Sequence, residues 1–265
     1  MPNLSSSTRT YHPIGDYLAQ SNYSRMTNNA IRRLGIVDLH SHFRLRPLLN
    51  FFRVQTGKTA AEVLELGCGN GVNLFELSRI LSVRAVGYDM DAAAIEEARR
   101  VSSAYFGSAI TFRCQDVFSV EEHSSFDYAL CMDVLEHVEE PQTLLLKVDR
   151  LLKHGGHLVI SVPTERYPKV FGLRFHRAIG HVMDGYNLRL LDRTVPAGYE
   201  RVTCSYSTGL LASLGCILYY RVALTLPIHQ LSVATCILLI SLFKWFDILN
   251  DERFSCSLFA VYRKA

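Results

Sequence analysis

Residues 63–72 read Val-Leu-Glu-Leu-Gly-Cys-Gly-Asn-Gly-Val, an aliphatic run that ends in three glycines at alternate positions. Glycine at that spacing lets a backbone approach a ligand with no Cβ in the way. A nicotinamide fingerprint, G-x-G-x-x-G, would place its third glycine where Val72 stands, so a dinucleotide is disfavoured. A second run, Val86-Gly87-Tyr88-Asp89, ends in an acid able to accept hydrogen bonds from both hydroxyls of a ribose. Further along, Asp133-Val-Leu-Glu136-His137 and Gly180-His181-Val-Met-Asp184-Gly-Tyr186 carry histidines, the side chains best suited to take a proton near neutral pH. His181 and His137 are the candidate general bases, with His176 and Tyr167 weaker candidates in the same region. Glu136, Glu139 and Glu140 precede Pro141, where carboxylates favour the positive end of a helix, so no metal is expected. No Gly-x-Ser-x-Gly supports a serine nucleophile, and Cys68 fills a slot in the glycine loop where a small side chain is required.

The elements that must hold these residues follow from the hydrophobic pattern. Short aliphatic runs predict strands near 61–66, 84–88, 110–113, 127–131 and 157–162, and helical spacing predicts helices over 72–82, 91–104 and 141–152. Pro141 suits a first helical turn, and Gly155-Gly156 marks the exit from that helix. This alternation is the mark of an α/β fold with a parallel sheet and crossover helices. An aromatic-rich stretch before residue 58, with a helix over 41–53, would cap the sheet.

Composition sets outer limits. The chain has 265 residues, 49% of them hydrophobic and 20% charged, enough for a well-buried α/β core and far from disordered or fibrous classes. Its net charge of +3 gives no ground for a protein that coats phosphate backbone. Seven cysteines without a C-x-x-C spell neither a disulfide framework nor a zinc knuckle and fit a reducing, cytoplasmic setting. The polar first residues lack the apolar core of a signal peptide, so secretion is not expected.

The motifs VLELGCGNG, VGYDMD, CQDVF, FDYALCMDVLEHVEEP and LLKHGGHLVISVP stand in an order that resembles the class I S-adenosylmethionine-dependent methyltransferases, particularly the branch of the ubiquinone-biosynthesis O-methyltransferases. The resemblance runs over roughly 60–207 and implies a Rossmann-like seven-stranded sheet with S-adenosyl-L-methionine as cofactor. It implies that Glu65, Gly67, Cys68, Gly69 and Gly71 border the methionine part, that Asp89 holds the ribose and Met90 meets adenine, and that Asp116 and Val117 meet the adenine edge. Cys131 and Met132 would bring backbone near the methionine moiety, with Asp133 and His137 beside the methyl group. Arg44 or Arg46, from the N-terminal cap, would pair with the cofactor carboxylate. The resemblance also implies a helix at 187–195, a sixth strand at 200–207 and a seventh at 256–263. The N-P-P-Y-type motif of enzymes acting on exocyclic base nitrogens is absent, Met132-Asp133-Val134-Leu135 standing in its place, so no nucleic-acid partner is expected.

The chain departs from that family between its last two strands, where about fifty residues replace a short hairpin. Positions 209–243 hold one charge, Arg221. A bilayer span is disfavoured: 231–243 is too short, and 222–243 carries Pro227, His229 and Gln230. Strands six and seven must pair in one sheet, which allows zero or two crossings, and 209–220 is too short to supply a second. A pair of interfacial helices with Arg221 and Lys244 at headgroup level is expected, giving peripheral membrane contact through 209–248 on the cytoplasmic side; a soluble lid or a homodimer face is the alternative. The domain reading is therefore a tail and cap over 1–58, a methyltransferase core over 59–208 and 251–265, and an apolar helical insertion over 209–250. The activity expected is methylation of oxygen, or carbon, in a small hydrophobic or lipid-like acceptor. The alternatives are a catalytically inactive cofactor-binding module and a protein or RNA methyltransferase.

Overall fold

A computed structural model describes residues 39–55, 60–120, 125–221 and 250–265, together with single positions at 29, 238, 239 and 242. Reading along the chain, helix α1 (Leu39–Arg53) leads into β1 (Ala61–Leu66), α2 (Val72–Ser78), β2 (Val83–Asp89), α3 (Ala92–Tyr105), β3 (Ile110–Cys114) and β4 (Phe126–Met132). Then follow α4 (Pro141–Leu151), β5 (Leu152–Pro163), two short helices α5 (Tyr167–Phe171) and α6 (Leu173–Ala178), α7 (Leu188–Thr194), β6 (Tyr199–Tyr206), α8 (Leu210–Arg221) and β7 (Ser257–Lys264). The strands form one seven-stranded sheet in the order β3-β2-β1-β4-β5-β7-β6. β1 to β5 run parallel, and β7 enters antiparallel between β5 and β6.

The central strands are apolar on both faces because both are covered. Leu48, Phe51 and Phe52 of α1, with Leu74, Phe75, Ile95 and Ala98 of α2 and α3, pack against Val63, Ala85, Tyr128 and Val159 on one side. Leu144, Leu145 and Val148 of α4 and Leu191 of α7 cover Leu64, Leu66, Ala129 and Ile160 on the other. A smaller cluster joins Phe43 of α1, Tyr167 and Phe171 of α5, and Ala212 and Cys216 of α8 over one end of the sheet.

The sequence boundaries hold with instructive differences. Asp91 caps α3, its side chain accepting from the amides of Ala93 (2.9 Å) and Ala94 (3.2 Å), which fixes where that helix begins. The crossover expected to run to 82 ends at Ser78. Gly155 and Gly156 do not terminate a helix: β5 starts at Leu152 and runs through them, with the register against β4 shifting between Phe126 and Tyr128. An added Cβ on Gly156 would lie 2.8 Å from the Lys153 carbonyl, so the pair serves a bulge inside the strand. Of the apolar insertion, α8 and the single positions 238, 239 and 242 are described; the second helix expected across 222–243 lies outside the described residues, as does most of 1–38. Among the described residues no helix is long and apolar enough to cross a membrane.

Candidate functional site

The strand order reverses between β1 and β4, and ligands of open parallel sheets bind outside the strand ends at such a point. The expected residues converge there. Gly67, Gly69 and Gly71 have φ of +61°, +51° and +83°, values that side chains rarely adopt. Around them the spaces differ: a Cβ on Gly67 would strike Val134 at 2.6 Å and one on Gly71 would strike Phe112 at 2.5 Å, whereas one on Gly69 would meet nothing within 4 Å. Gly69 is thus the glycine that faces an open cradle. Cys68 is buried and touches Gly87, which has no room for a Cβ beside it, and burial pushes its thiol far above the ordinary range; it is a packing residue.

Glu65 closes the floor of this cradle. Asn73 Nδ2 donates to its Oε1 at 2.6 Å, while its Oε2 is buried with no hydrogen-bond partner. Burial raises the Glu65 carboxyl to about 8, against the opposing pull of Asn73 and Arg44. A buried, unmatched carboxyl oxygen is costly unless a donor or cation reaches it. The ammonium group of an amino-acid-bearing cofactor such as S-adenosylmethionine fits this requirement.

On the other side of the loop, Asp89 Oδ2 accepts from the Gly69 amide at 2.7 Å and Oδ1 accepts from the Asp91 amide at 2.9 Å. Each oxygen keeps a lone pair, and the carboxylate is held in one orientation ahead of any ligand. Met90 follows with 75% of its surface exposed, and Phe118 is an exposed aromatic ring beside Val117, so both present apolar surface on which a purine could stack. Asp116 caps the short turn Val117–Ser119 by accepting from the Phe118 amide at 3.0 Å. Sequence reasoning missed Asn73 and Phe118. Neither belongs to a motif of special spacing, although a polar residue two places after the last glycine was a usable signal for Asn73.

The end of β4 carries strain. Asp133 is the one described non-glycine residue with positive φ, at 56°. Its carboxylate accepts from Ser161 Oγ at 3.2 Å on Oδ1 and pairs through Oδ2 with Arg44. Both oxygens are engaged within the chain, so Asp133 ties the cap to the site. Arg44 reaches the site from α1, close enough to influence Glu65 and Glu136, and its partner is Asp133. Arg46 does not reach it. It lines a separate depression of about 540 Å³ with Asn50, Tyr206 and Phe259, on the side of β6 and β7. Cys131 is fully buried, its thiol pushed up to about 12 by burial, so only its backbone is available to a ligand.

Beyond Asp133 the short turn Leu135–His137 meets the segment after α6. The Glu136 carbonyl accepts from the Val182 amide at 2.8 Å, and Gly180 offers its carbonyl to His137 Nδ1 at 3.1 Å. Gly185, at φ +138°, returns the chain so closely past Thr164 that a Cβ there would sit 2.4 Å from its carbonyl carbon. The result is a cluster in which the His137 and His181 rings lie 4.7 Å apart and His181 Nε2 lies 3.9 Å from Glu136 Oε1. Glu136 is not a helix charge, as expected, but a buried group with an unpartnered Oε2, raised to about 8 by burial; Glu139 and Glu140 remain exposed beside α4. Burial lowers His181 to about 4, helped by the neighbouring His137 and His176, so it is neutral across the physiological range. Glu136, His137 and His181 bring three ligand-type atoms within 4.8 Å of one another, a donor set able to take a cation as well as a proton. Tyr167 lies against this cluster, its ring 5.3 Å from that of His181, and belongs to the wall.

Known proteins resemble this chain in domain and in fold. Residues 58–183 match the family model described as a methyltransferase domain. A ubiquinone biosynthesis O-methyltransferase of Xanthomonas axonopodis pv. citri is 32% identical over 127 residues, covering 47% of this chain and 52% of that protein. One of Proteus mirabilis is 33% identical over 135 residues, covering 47% and 53%. The chain thus spans about half the length of the curated relatives it matches. Among solved structures, a geranyl diphosphate methyltransferase in complex with S-adenosylmethionine superposes with a TM-score of 0.63 at 13% identity, over 94% of this chain and 95% of that one. An N-methyltransferase from Bradyrhizobium japonicum in complex with S-adenosylhomocysteine gives 0.56 at 18% identity, over 96% and 98%. Residues 58–183 thus resemble a methyltransferase domain, and the chain shares its fold with these solved methyltransferases.

Proposed function

We propose that the chain is an S-adenosylmethionine-dependent methyltransferase acting on a hydroxyl oxygen of a small hydrophobic acceptor. Bound S-adenosylmethionine supplies a methyl group on an electrophilic sulfonium. The observation that carries the reading is the junction at the end of β4. On one side lies the cradle of Glu65, Gly69 and Asp89, and on the other the buried His181, with the exposed His137 against it, beside Glu136. Glu65, Gly69, Asp89, Met90, Val117 and Phe118 would hold the cofactor. His181, neutral and shielded from bulk water, would receive the proton that the acceptor hydroxyl loses, with His137 its neighbour. Positioning donor and acceptor supplies much of the rate in such a displacement. The relatives named for O-methylation support oxygen over carbon. Calorimetric titration with S-adenosylmethionine and S-adenosylhomocysteine, followed by transfer of a labelled methyl group to phenols bearing a short isoprenoid tail, tests the reading; absence of binding overturns it.

Cofactor binding should release a proton. Glu65 is protonated below about 8, and a cationic ligand beside its free Oε2 favours the ionised form. Titration near neutral pH in two buffers of different ionisation enthalpy should reveal release of up to about one proton per site, with affinity rising as pH approaches about 8. Glu65→Gln should abolish both effects, and equal heats in the two buffers would contradict the assignment.

We also propose that the chain works at a cytoplasmic membrane surface. Two residues of α8 support this: Leu214 and Leu218, one turn apart, are 52% and 46% exposed, while Ala212 and Cys216 face the protein. Wild-type protein should sediment with anionic phospholipid vesicles, and the double change Leu214→Glu with Leu218→Glu should reduce the bound fraction several-fold with cofactor binding intact. Unchanged sedimentation would favour a lid or dimer role for this face.

A further inference from the structure

The proposed base is not a single side chain hung in a loop. His181 Nδ1 lies 2.9 Å from His176 Nδ1, and both imidazoles are buried, at 6% and 0% exposure. Their rings stand nearly perpendicular, 87° apart, with centroids at 4.6 Å. One of two facing ring nitrogens must carry the proton and the other must accept it. Which does which is decided at the far side of His176, where Nε2 faces Asp184 Oδ1 at 3.5 Å. That contact is long, and Nε2 has no closer hydrogen-bond partner, yet the group it faces is a carboxylate, able only to accept. A proton on His176 Nε2 leaves its Nδ1 as a lone pair, which then takes the hydrogen bond from His181 Nδ1–H. His181 Nε2 is left unprotonated, on the side of Glu136 and His137.

From this chain of contacts we infer that His176 is a positioning residue, with Asp184 behind it, that holds His181 in the Nδ1–H tautomer and so keeps Nε2 bare for the acceptor's proton. The inference rests on the reading of His181 as base and adds what makes it one. A free imidazole in water favours the opposite tautomer, with the proton on Nε2, in which the nitrogen facing the site could not accept. When the acceptor O–H bond breaks, the proton joins His181 Nε2, and the resulting imidazolium keeps its Nδ1–H on His176. The supporting elements are local. His176 lies in the last turn of the short α6, its amide bonded to the Gly172 carbonyl at 3.0 Å, and Arg177 holds Asp184 at 2.9 Å. Tyr167 closes the third side, 6.1 Å from the His176 ring and 5.3 Å from that of His181. Sequence spacing hinted at none of this, because positions 176, 181 and 184 fall on one short helix and an irregular return.

Long-range proton–nitrogen correlation spectra of the full nitrogen-15-labelled chain read the tautomers directly, with His176→Gln and His181→Gln spectra assigning the signals. Expected are His181 protonated at Nδ1 and His176 at Nε2. His176→Phe, similar in volume, should shift His181 towards the Nε2–H form and lower kcat about tenfold or more on an isoprenoid-tailed phenol, with the acceptor KM and cofactor affinity unchanged. His176→Gln, whose amide oxygen can accept from His181, should recover most of that loss. If His176→Phe does not fold, Asp184→Ala at the exposed end should weaken the same tautomer preference. His181 found protonated at Nε2 in the wild type, or unmoved by these changes, overturns the inference even where His181→Gln abolishes turnover. Turnover that survives His181→Gln overturns the underlying reading instead, and the inference with it. Turnover that a chelator abolishes and a divalent cation restores, with His181 Nε2 shifted by that cation, makes His181 a ligand and overturns both.

Discussion

Asp89→Ala is expected to weaken S-adenosylmethionine binding by about 100-fold or more. Two charge-assisted hydrogen bonds to ribose hydroxyls contribute about 1.5 to 3 kcal/mol each, and about 1.4 kcal/mol corresponds to a factor of ten. The variant also loses the acceptor that holds the Gly69 amide at 2.7 Å, so the loop itself loosens. Asp89→Asn keeps an oxygen for that amide but not the charge, and should fall between the two. Gly69→Ala gives an independent check. Its φ of +51° costs an alanine about 1 to 2 kcal/mol, but the added Cβ meets no protein atom within 4 Å. The fold should survive and cofactor binding should not, because the methyl group would occupy the cradle. Gly71→Ala should fail the other way: its Cβ would lie 2.5 Å from Phe112, so thermal unfolding should show a loss of stability before binding is even measured. Normal cofactor affinity in both Asp89→Ala and Gly69→Ala would place the ligand elsewhere.

Much of this arrangement was legible because a parallel sheet writes itself plainly. Buried strands must be apolar on both faces, crossover helices must carry a stripe, and backbone close to a ligand must be glycine, so β1 to β5 and the loop at Gly67–Gly71 followed from residue type and spacing. The order of the last strands and the expectation that Glu65 borders the methionine part came from the family resemblance. What stayed hidden was decided by tertiary neighbours. Arg44 and Arg46 are two residues apart with the same side chain, and only the direction in which α1 crosses the sheet sends one to Asp133 and the other to β6. Glu136 reads as one of three acids before a helix, yet the turn at Leu135–His137 buries it while leaving Glu139 and Glu140 in water. Gly155-Gly156 has the look of a helix exit because glycine serves helix ends and bulges alike. The helices α5 and α6 are too short to leave a periodic signature, and the histidine pair they set up has no sequence spacing of its own.

His181→Gln is expected to lower kcat by about 10² to 10⁴ while leaving S-adenosylmethionine affinity unchanged, the range for removing a general base. Glutamine matches the reach of the imidazole and cannot take the proton at that position. His137→Gln should cost less, because His137 sits nearer to solvent than the buried His181. The pH profile separates the two further. His181, lowered to about 4 by burial and by its neighbours, is unprotonated through neutrality, so turnover limited by its state should stay level from neutral pH downwards and fall only as pH approaches about 4. A base with an ordinary histidine pKa would lose activity about two and a half units higher, near the reference value of about 6.5. A fall in activity near that value that disappears in His137→Gln would transfer the base to His137. Turnover unchanged by either substitution would mean that the acceptor reaches the site already deprotonated and that positioning beside the methyl donor supplies the catalysis.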